Sequence, residues 1–514
     1  MADVGVIFAL MQTRATSATR TETDRPVKAV RERFDIAIVG AGFSGLGMAM
    51  DLRRAGRADF CLIDKADNVG GTWRDNTYPG CACDIPSHLY SFTREMKPDW
   101  SRMYPRQAEI WAYQRALVES HGLEPHLRLG WHVKEMNWDE AERCWTLVSA
   151  DGRVITARAV VCGLGGLHIP QWPQIEGLET FTGPNFHTAQ WDHCVDLAGK
   201  RVGIIGTGAS AIQIVPEIAP EVGHLQLFQR TPPWILPKGD RAMMGIERAA
   251  FRALPPVQRF YRWLIYWLNE VRAIAFVKQP ERMDRAKKQA LKHLEKQVGD
   301  PGLRAKLTPD YTIGCKRVLI SNDYYPALQR ENVSLETIGI AAVTPTGVTL
   351  QDGRAVALDV LIHATGFKPF DMVDGLTVTG RDGRNLGAEW GAAPNAHRGI
   401  TVSGFPNLFF LMGPNTGLGH NSMIYMIESG VAYVMDALRK MDTRVARALH
   451  VKPEAQASFV ADVRERLKGT VWASGCSSWY RGEDGEIPTL WPDFTFNYRR
   501  LTRELDAENY EFLA

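Results

Sequence analysis

Cysteine is scarce: 8 residues in 514, too few for a disulfide scaffold. Cys81 and Cys83 stand close together, but their spacing fits neither a CxxC redox motif nor a zinc knuckle. The thiols read as reduced, in a cytoplasmic-type compartment. Thirteen histidines supply no HExxH and no cluster at zinc spacing, so no metal is expected. Charge of one sign is missing as well. Lys and Arg number 60 against 58 Asp and Glu, which excludes a nucleic-acid binder built on bulk charge and leaves only a local basic groove. No apolar run is long enough for a membrane-spanning helix. The opening residues lean apolar but carry no basic n-region and no cleavage pattern, so no signal peptide is expected.

What is present suits a large globular chain. Hydrophobic residues make up 45% and charged residues 23%, enough apolar material for sizeable cores. The length suggests about three domains. Residues 14–33, rich in Thr, Arg and Glu, read as the end of a disordered N-terminal arm spanning 1–33. Order is expected from Phe34.

From there the run Phe34-Asp35-Ile36-Ala37-Ile38-Val39 reads as a buried strand, followed at once by Gly40-Ala41-Gly42-Phe43-Ser44-Gly45 and then by apolar residues at helical spacing. A GxGxxG between a strand and a helix allows a tight turn and brings backbone N–H groups up to a diphosphate. The next strand, Phe60 to Ile63, ends at Asp64, whose carboxylate suits the hydroxyls of an adenosine ribose. The device is repeated. A strand from Arg201 to Ile205 leads into Gly206-Thr207-Gly208-Ala209-Ser210-Ala211, and a strand from Leu225 to Phe228 leads to Gln229-Arg230-Thr231. Asp64 and Arg230 each lie 24 residues beyond the first glycine of their turn. A cation with a neighbouring hydroxyl suits a 2′-phosphate that a carboxylate would repel. The first fold therefore reads as holding an unphosphorylated adenosine and the second as holding NADPH. FAD is the natural resident of the first, because it can accept hydride and pass electrons on.

The expected fold is α/β, with two Rossmann-like dinucleotide-binding domains, the second interrupting the first. Residues 34–165 and 366–514 form the FAD-binding domain with its C-terminal loops, and residues 166–239 and 301–365 form the NADPH-binding domain. Return strands are expected from Arg153 to Cys162 and from Asp359 to Gly366. A buried strand from Leu408 should bring Gly413 and Pro414-Asn415-Thr416-Gly417 towards the flavin. Residues 240–300 read as a helical insertion with aromatics at Phe260, Tyr261, Trp263, Tyr266 and Trp267. Its aromatic face has three readings: cover for a substrate cavity, ordinary core, or a rest on a membrane surface. His88, His168 and His363 read as satisfied core histidines.

Between the two folds, Phe181, Gly183, His187, Trp191 and Asp192 match the FxGxxxHxxxW(P/D) fingerprint of Baeyer–Villiger monooxygenases. A second fingerprint of that family is met by Gly71, Trp73, Tyr78-Pro79-Gly80 and Asp84. From Phe34 to its end the chain thus resembles the single-component, FAD- and NADPH-dependent type. The resemblance implies conversion of ketones to esters or lactones through a C4a-peroxyflavin, with sulfide oxygenation beside it and no separate reductase. It implies that Arg317 is the catalytic arginine, keeping the peroxide anionic, and that Asp84 positions it. Lys316 is implied to join Arg230 and Thr231 on the 2′-phosphate. His187 is implied to couple domain movement to cofactor binding, and Trp479 to belong to a loop that closes over NADP. The full cofactor-binding set expected is Gly40, Gly42, Phe43, Ser44, Gly45, Asp64, Lys65, Gly71, Thr72, Trp73, Asp84, Tyr90, Gly206, Thr207, Gly208, Ala209, Ser210, Arg230, Thr231, Lys316, Ala364, Thr365, Gly366, Asn415, His187 and Trp479. The partners expected are a small-molecule ketone and O2, with the chain a monomer or weak homo-oligomer. The loop around Gly413 to Asn421 departs from the cyclic-ketone and aryl-ketone branches, so no particular ketone is implied. The alternative is a related flavin monooxygenase acting on sulfide or amine heteroatoms, which has less need of Arg317.

Overall fold

The computed structural model describes residues 31–369, 371–476, 478–482 and 484–514. The expected arm lies outside these residues except at its end, where the first strand starts at Arg31 rather than Phe34. Pairing with Val154 to Thr156 draws those extra residues into the sheet.

Two sheets organise the chain. The first contains β1 (Arg31–Val39), β2 (Phe60–Ile63), β3 (Leu127–Arg128), and the antiparallel run β4 (Val133–Asp139), β5 (Cys144–Ser149) and β6 (Val154–Cys162). β1 lies parallel between β2 and β6, and its inner residues Ile36, Ala37 and Ile38 are fully buried. Strands buried on both faces in this way read as continuous apolar runs. β5 instead alternates buried and half-buried residues, as a strand with one covered face should. The second sheet is parallel throughout: β7 (Asn185–His187), β8 (Arg201–Ile205) and β9 (His224–Phe228) join two later strands, Val333–Glu336 and Val360–His363. After that the chain returns to the first sheet, where Thr377–Thr379 pairs with β4 and Leu408–Phe410 pairs with β6.

The two sheets repeat one plan. In each, the glycine turn follows the central strand, the strand bearing the nucleotide selector lies on one side, and the returning strand lies on the other. The packing shows the same equivalence. Gly40 has φ +103°, and a side chain there would meet the Gly163 carbonyl just beyond β6 at 2.5 Å. Gly206 has φ +110°, and its counterpart is the Ala364 carbonyl just beyond Val360–His363, again at 2.5 Å. Both positions demand left-handed backbone and a missing Cβ.

The helices that follow the turns are α1 (Phe43–Arg54), with α2 (Thr72–Asp75) and α3 (Gln107–His121) beyond it, and α4 (Ala211–Ile218). The insertion comprises α5 (Gly245–Ala253), α6 (Pro255–Glu270) and α7 (Met283–Gln297), and continues past its expected end into α8 (Pro301–Leu307). A proline at the first position and Asp300 accepting from the Gly302 and Leu303 N–H groups start that last helix.

Candidate active site

One cavity of about 1620 Å³ joins the carboxyl ends of both sheets. That exceeds the usual ~300–1,000 Å³ of a small-molecule pocket, and its position is where open α/β sheets bind ligands. Both glycine turns line it, together with Asp64, Asp84, Arg230, Lys316, Arg317, Gly413, Thr416 and Trp479.

The turns present free helix starts. Neither Gly42 nor Ser210, which precede α1 and α4, caps its helix with a side chain, and neither first turn contains an acid. Unsatisfied N–H groups and the positive end of the helix dipole are left for an anion. Gly42 faces Gly71 across the cavity wall, where a Cβ would stand 3.7 Å from the Gly71 Cα.

The selectors differ in surroundings as well as sign. Asp64 is buried and accepts from the Ala41 N–H at 2.8 Å, the Ala66 N–H at 3.0 Å and the Arg74 guanidinium at 3.0 Å. A carboxylate has about four acceptor sites, so capacity remains for a further donor. Across the cavity, burial and the neighbouring Arg230 both press the Lys316 ammonium below its ordinary pKa. Among the described residues neither cation makes an ion pair. Two like charges set together and only partly offset by Asp310 form a site for an anion.

Arg317 bridges the halves. Its Nε and Nη2 donate to Asp84 Oδ2 at 2.9 and 2.5 Å, joining the second fold to the fingerprint loop of the first. The two side chains remain 29% and 32% exposed, and the face left open is the face on the cavity. Asp84 holds the guanidinium above its already high pKa, so it stays cationic at any working pH. Tyr480, fully buried, stands with its hydroxyl against Arg317. Beside it Trp479 stays 42% exposed at the cavity, its ring 4.4 Å from that of Tyr480.

A disulfide between Cys315 and Cys476, with Cα atoms 6.2 Å apart, ties the loop segment of Lys316 and Arg317 to that tryptophan loop. This corrects the reading of wholly reduced thiols, since 161 residues separate the pair and spacing alone gave no hint. The other six cysteines are free. Burial pushes the Cys81 thiol up to about 12 and Cys83 well above its usual value, so both are inert as nucleophiles.

Three expected site residues do not line the cavity. Gly45 is occupied with helix packing, since a Cβ there would lie 1.9 Å from the Gly40 carbonyl. Asn415 turns away and donates to the Ile487 and Leu490 carbonyls, clamping the C-terminal loops. His187 is fully buried behind Trp172, its Nδ1 accepting from the Ala189 N–H at the edge of the second sheet. His168 is not a core residue but lines the cavity, while His88 and His363 are buried with one ring nitrogen unpartnered. Sequence reasoning also missed Arg74, although it directly follows the fingerprint Trp73, and Gln213. The latter accepts from the Tyr78 hydroxyl and donates to the Ala82 carbonyl, so α4 grips the fingerprint loop.

The histidines carry a pH consequence. Burial lowers His88, His187 and His363 from 6.5 to about 4. The unfolded chain takes up protons below pH ~6.5 that the folded chain refuses, so stability is complete above that value and falls as pH drops towards ~4. Each tenfold difference in proton affinity is worth ~1.4 kcal/mol. The midpoint of urea unfolding should therefore be clearly lower at about pH 5 than at about pH 7.5, before carboxylates begin to titrate. A midpoint that stays level across that range would contradict the assignment.

Comparison with known proteins places this architecture. The family profile of pyridine nucleotide-disulphide oxidoreductases matches residues 37–242. The chain is 50% identical over 488 residues to a Baeyer–Villiger monooxygenase of Pseudomonas aeruginosa, covering 95% of this chain and 93% of that one. It is 46% identical to a Baeyer–Villiger monooxygenase of Streptomyces coelicolor, with coverage of 94% and 93%. A solved oxidised steroid monooxygenase bound to NADP superimposes with a TM-score of 0.84 at 30% identity, covering 94% of this chain and 99% of that one. A closed cyclohexanone monooxygenase does so with 0.85 at 28%, covering 94% and 100%. With full-length identity of this order to named members, and with both glycine turns and both fingerprints in place, the chain belongs to the Baeyer–Villiger monooxygenase family.

Proposed function

We propose that this protein converts ketones to esters or lactones with NADPH and O2, holding FAD on the first fold and NADPH on the second. The observation that carries it is Arg317, a permanent cation paired with Asp84 at the meeting point of two dinucleotide sites. The residues fit both groups: two uncapped helix starts for two diphosphates, a buried carboxylate with spare acceptor capacity for a ribose, and a cation pair for a 2′-phosphate. Bound FAD would supply hydride acceptance and oxygen activation. Residues 34–165 and 366–514 would form the flavin half, and 166–365 the nicotinamide half with its insertion.

Within that frame the chain's own groups have distinct tasks. Arg317 stabilises negative charge on oxygen and, having no easily lost proton, does not quench it. Asp84 fixes the guanidinium's direction; a desolvated pair of this kind is valued for placement rather than stability. Trp479, on the loop held by Cys476, narrows the mouth and excludes water. His187 acts at a distance, setting the strand edge that leads to Ala364, Thr365 and Gly366. The same oxygenation extends to sulfides. Six free thiols and the use of NADPH support a cytoplasmic placement, and no helix among the described residues is long and apolar enough to cross a membrane. A monomer or weak homo-oligomer that works without a separate reductase is proposed.

The test is a panel of linear, cyclic, aryl and steroidal ketones turned over with NADPH under labelled O2. Ester carrying a labelled oxygen supports the reading. Consumption of NADPH with hydrogen peroxide as the sole product, or oxidation confined to thioethers, would overturn it. Selectivity gives a second handle: Arg230→Ala should raise the KM for NADPH by ~10-fold or more while leaving that for NADH nearly unchanged, because charge-assisted bonds to a phosphate are lost. Equal effects on both nucleotides would place the 2′-phosphate elsewhere.

A further inference from the structure

α6 is built inside out. A surface helix normally turns its apolar stripe to the core and its polar stripe to water. Here the buried stripe is Gln258, Arg262, Ile265, Tyr266, Asn269 and Glu270, polar at four of its six positions. Gln258 donates to the Lys97 carbonyl, Arg262 to the His88 carbonyl, and Glu270 accepts from Thr495 and Asn421. These bonds set the helix's rotation. The opposite stripe faces outward: Phe260 is 63% exposed, Trp263 53% and Leu268 60%. Its aromatics run on without a break, Phe260 stacked on Trp263, then Trp267, then Phe496 on the neighbouring C-terminal helix. Met244, which caps α5, and Ile246, in its first turn, are exposed as well. Of the three readings of these aromatics, core holds for Tyr266 and for Tyr261, which packs against it, but not for the exposed Phe260, Trp263 and Trp267, and no α6 residue lines the cavity.

We propose that this face docks on an anionic lipid surface, with α5 and α6 lying in the interface and crossing nothing. An exposed stripe of Trp, Phe and Leu beside arginines is the composition of an interfacial helix. Arg259 and Arg272 are exposed around the patch, as is Arg252, which pairs with Asp99 at 3.4 Å, whereas the one acid of α5, Glu247, is engaged by Arg241 and that of α6 is buried. Charge complementarity selects the occupant. A two-fold pairing of chains through this patch would bring the same surface against itself and set these arginines against their own copies. Anionic headgroups answer them, and each such contact strengthens attachment. The inference does not depend on which ketone is oxidised.

The test uses the full-length holoenzyme sedimented with vesicles of equimolar phosphatidylglycerol and phosphatidylcholine, and with phosphatidylcholine alone. Binding should favour the anionic vesicles and weaken with salt. The double variants Phe260→Ser/Trp263→Ser and Arg252→Glu/Arg259→Glu should each lower the partition coefficient by ~10-fold or more, with flavin content and activity in solution unchanged. The substitutions lie on exposed positions, and unaltered flavin content reports that the chain is folded. Absence of vesicle binding, or equal binding by wild type and variants, overturns the proposal. So does a dimer seen by light scattering that these substitutions dissolve, which would assign the face to a second copy. Binding that appears only after removal of residues 1–30 would assign it to that segment.

Discussion

Replacing Arg317 by alanine is expected to lower ketone oxygenation by ~10²–10³-fold or more, while NADPH is still oxidised and hydrogen peroxide accumulates. The cause is electrostatic. Oxygen transfer to a ketone develops negative charge on oxygen, first in the attacking group and then in the adduct. A preorganised cation in a water-poor cavity stabilises that charge far more than solvent would. Asp84 directs the guanidinium through its Nε and Nη2, and its remaining face is open to the cavity. Arg317→Lys should recover only part of the loss, because an ammonium cannot hold Asp84 through two nitrogens and still face the cavity. Asp84→Asn should act in the same direction but less strongly, by loosening the arginine rather than removing it. The measurements are initial rates of ester and of hydrogen peroxide formation. Undiminished ester formation by Arg317→Ala would sink the mechanism and leave the two-nucleotide fold standing.

The second large effect is expected at Gly45. Alanine there should yield protein that is poorly folded or purifies without flavin colour, because its Cβ would lie 1.9 Å from the Gly40 carbonyl and 3.0 Å from Leu62 Cδ1. The first contact is backbone, held in the turn that must cradle a diphosphate, so α1 has to lift from β1. Overpacking a well-filled core typically costs ~1–3 kcal/mol, and here the displaced atoms are those of the binding turn itself. Gly208→Ala is the control. Nothing lies within 4 Å of its Cβ position and its φ is ordinary, so folding and flavin content should be retained, with any loss confined to NADPH affinity. The absorbance ratio of flavin to protein and the melting temperature distinguish the two. A fully coloured Gly45→Ala protein of unchanged melting temperature would show that the first turn is looser than its geometry.

The comparison also explains a difference between the two turns. At the place of Gly45 the second turn carries Ala211, which is fully buried at the start of α4. The second turn therefore has room for a methyl at this place. Only the spelling of the motif was legible beforehand; the spacing that permits alanine is a property of the packed pair.

Much of the site was readable because its signals are local. Each glycine turn, its following helix and its selector 24 residues on form one strand–turn–helix–strand unit, whose geometry is dictated by a short stretch of chain. The second fingerprint extended this to Asp84, and the family resemblance to Arg317. Failures came where partners are distant in sequence. Nothing near Cys315 announces Cys476, and Asn415 sits in the expected loop yet points at Ile487 and Leu490 rather than at the cavity. His187 lies in the right fingerprint but behind Trp172.

The chain's linear order was thus sufficient for the two dinucleotide folds and for the opposite charges, Asp64 and Arg230, that follow their second strands, because strand burial, glycine φ and the placement of those charges are set within a few tens of residues. Tertiary structure alone decided which way α6 faces. Periodicity reveals that a helix has an apolar side, but the rotation about its axis follows from where Arg262 and Glu270 find their partners, and those lie on remote segments. The pairing of Arg317 with Asp84 has the same origin: a contact across 233 residues exists only once both sheets have formed and brought their carboxyl ends together.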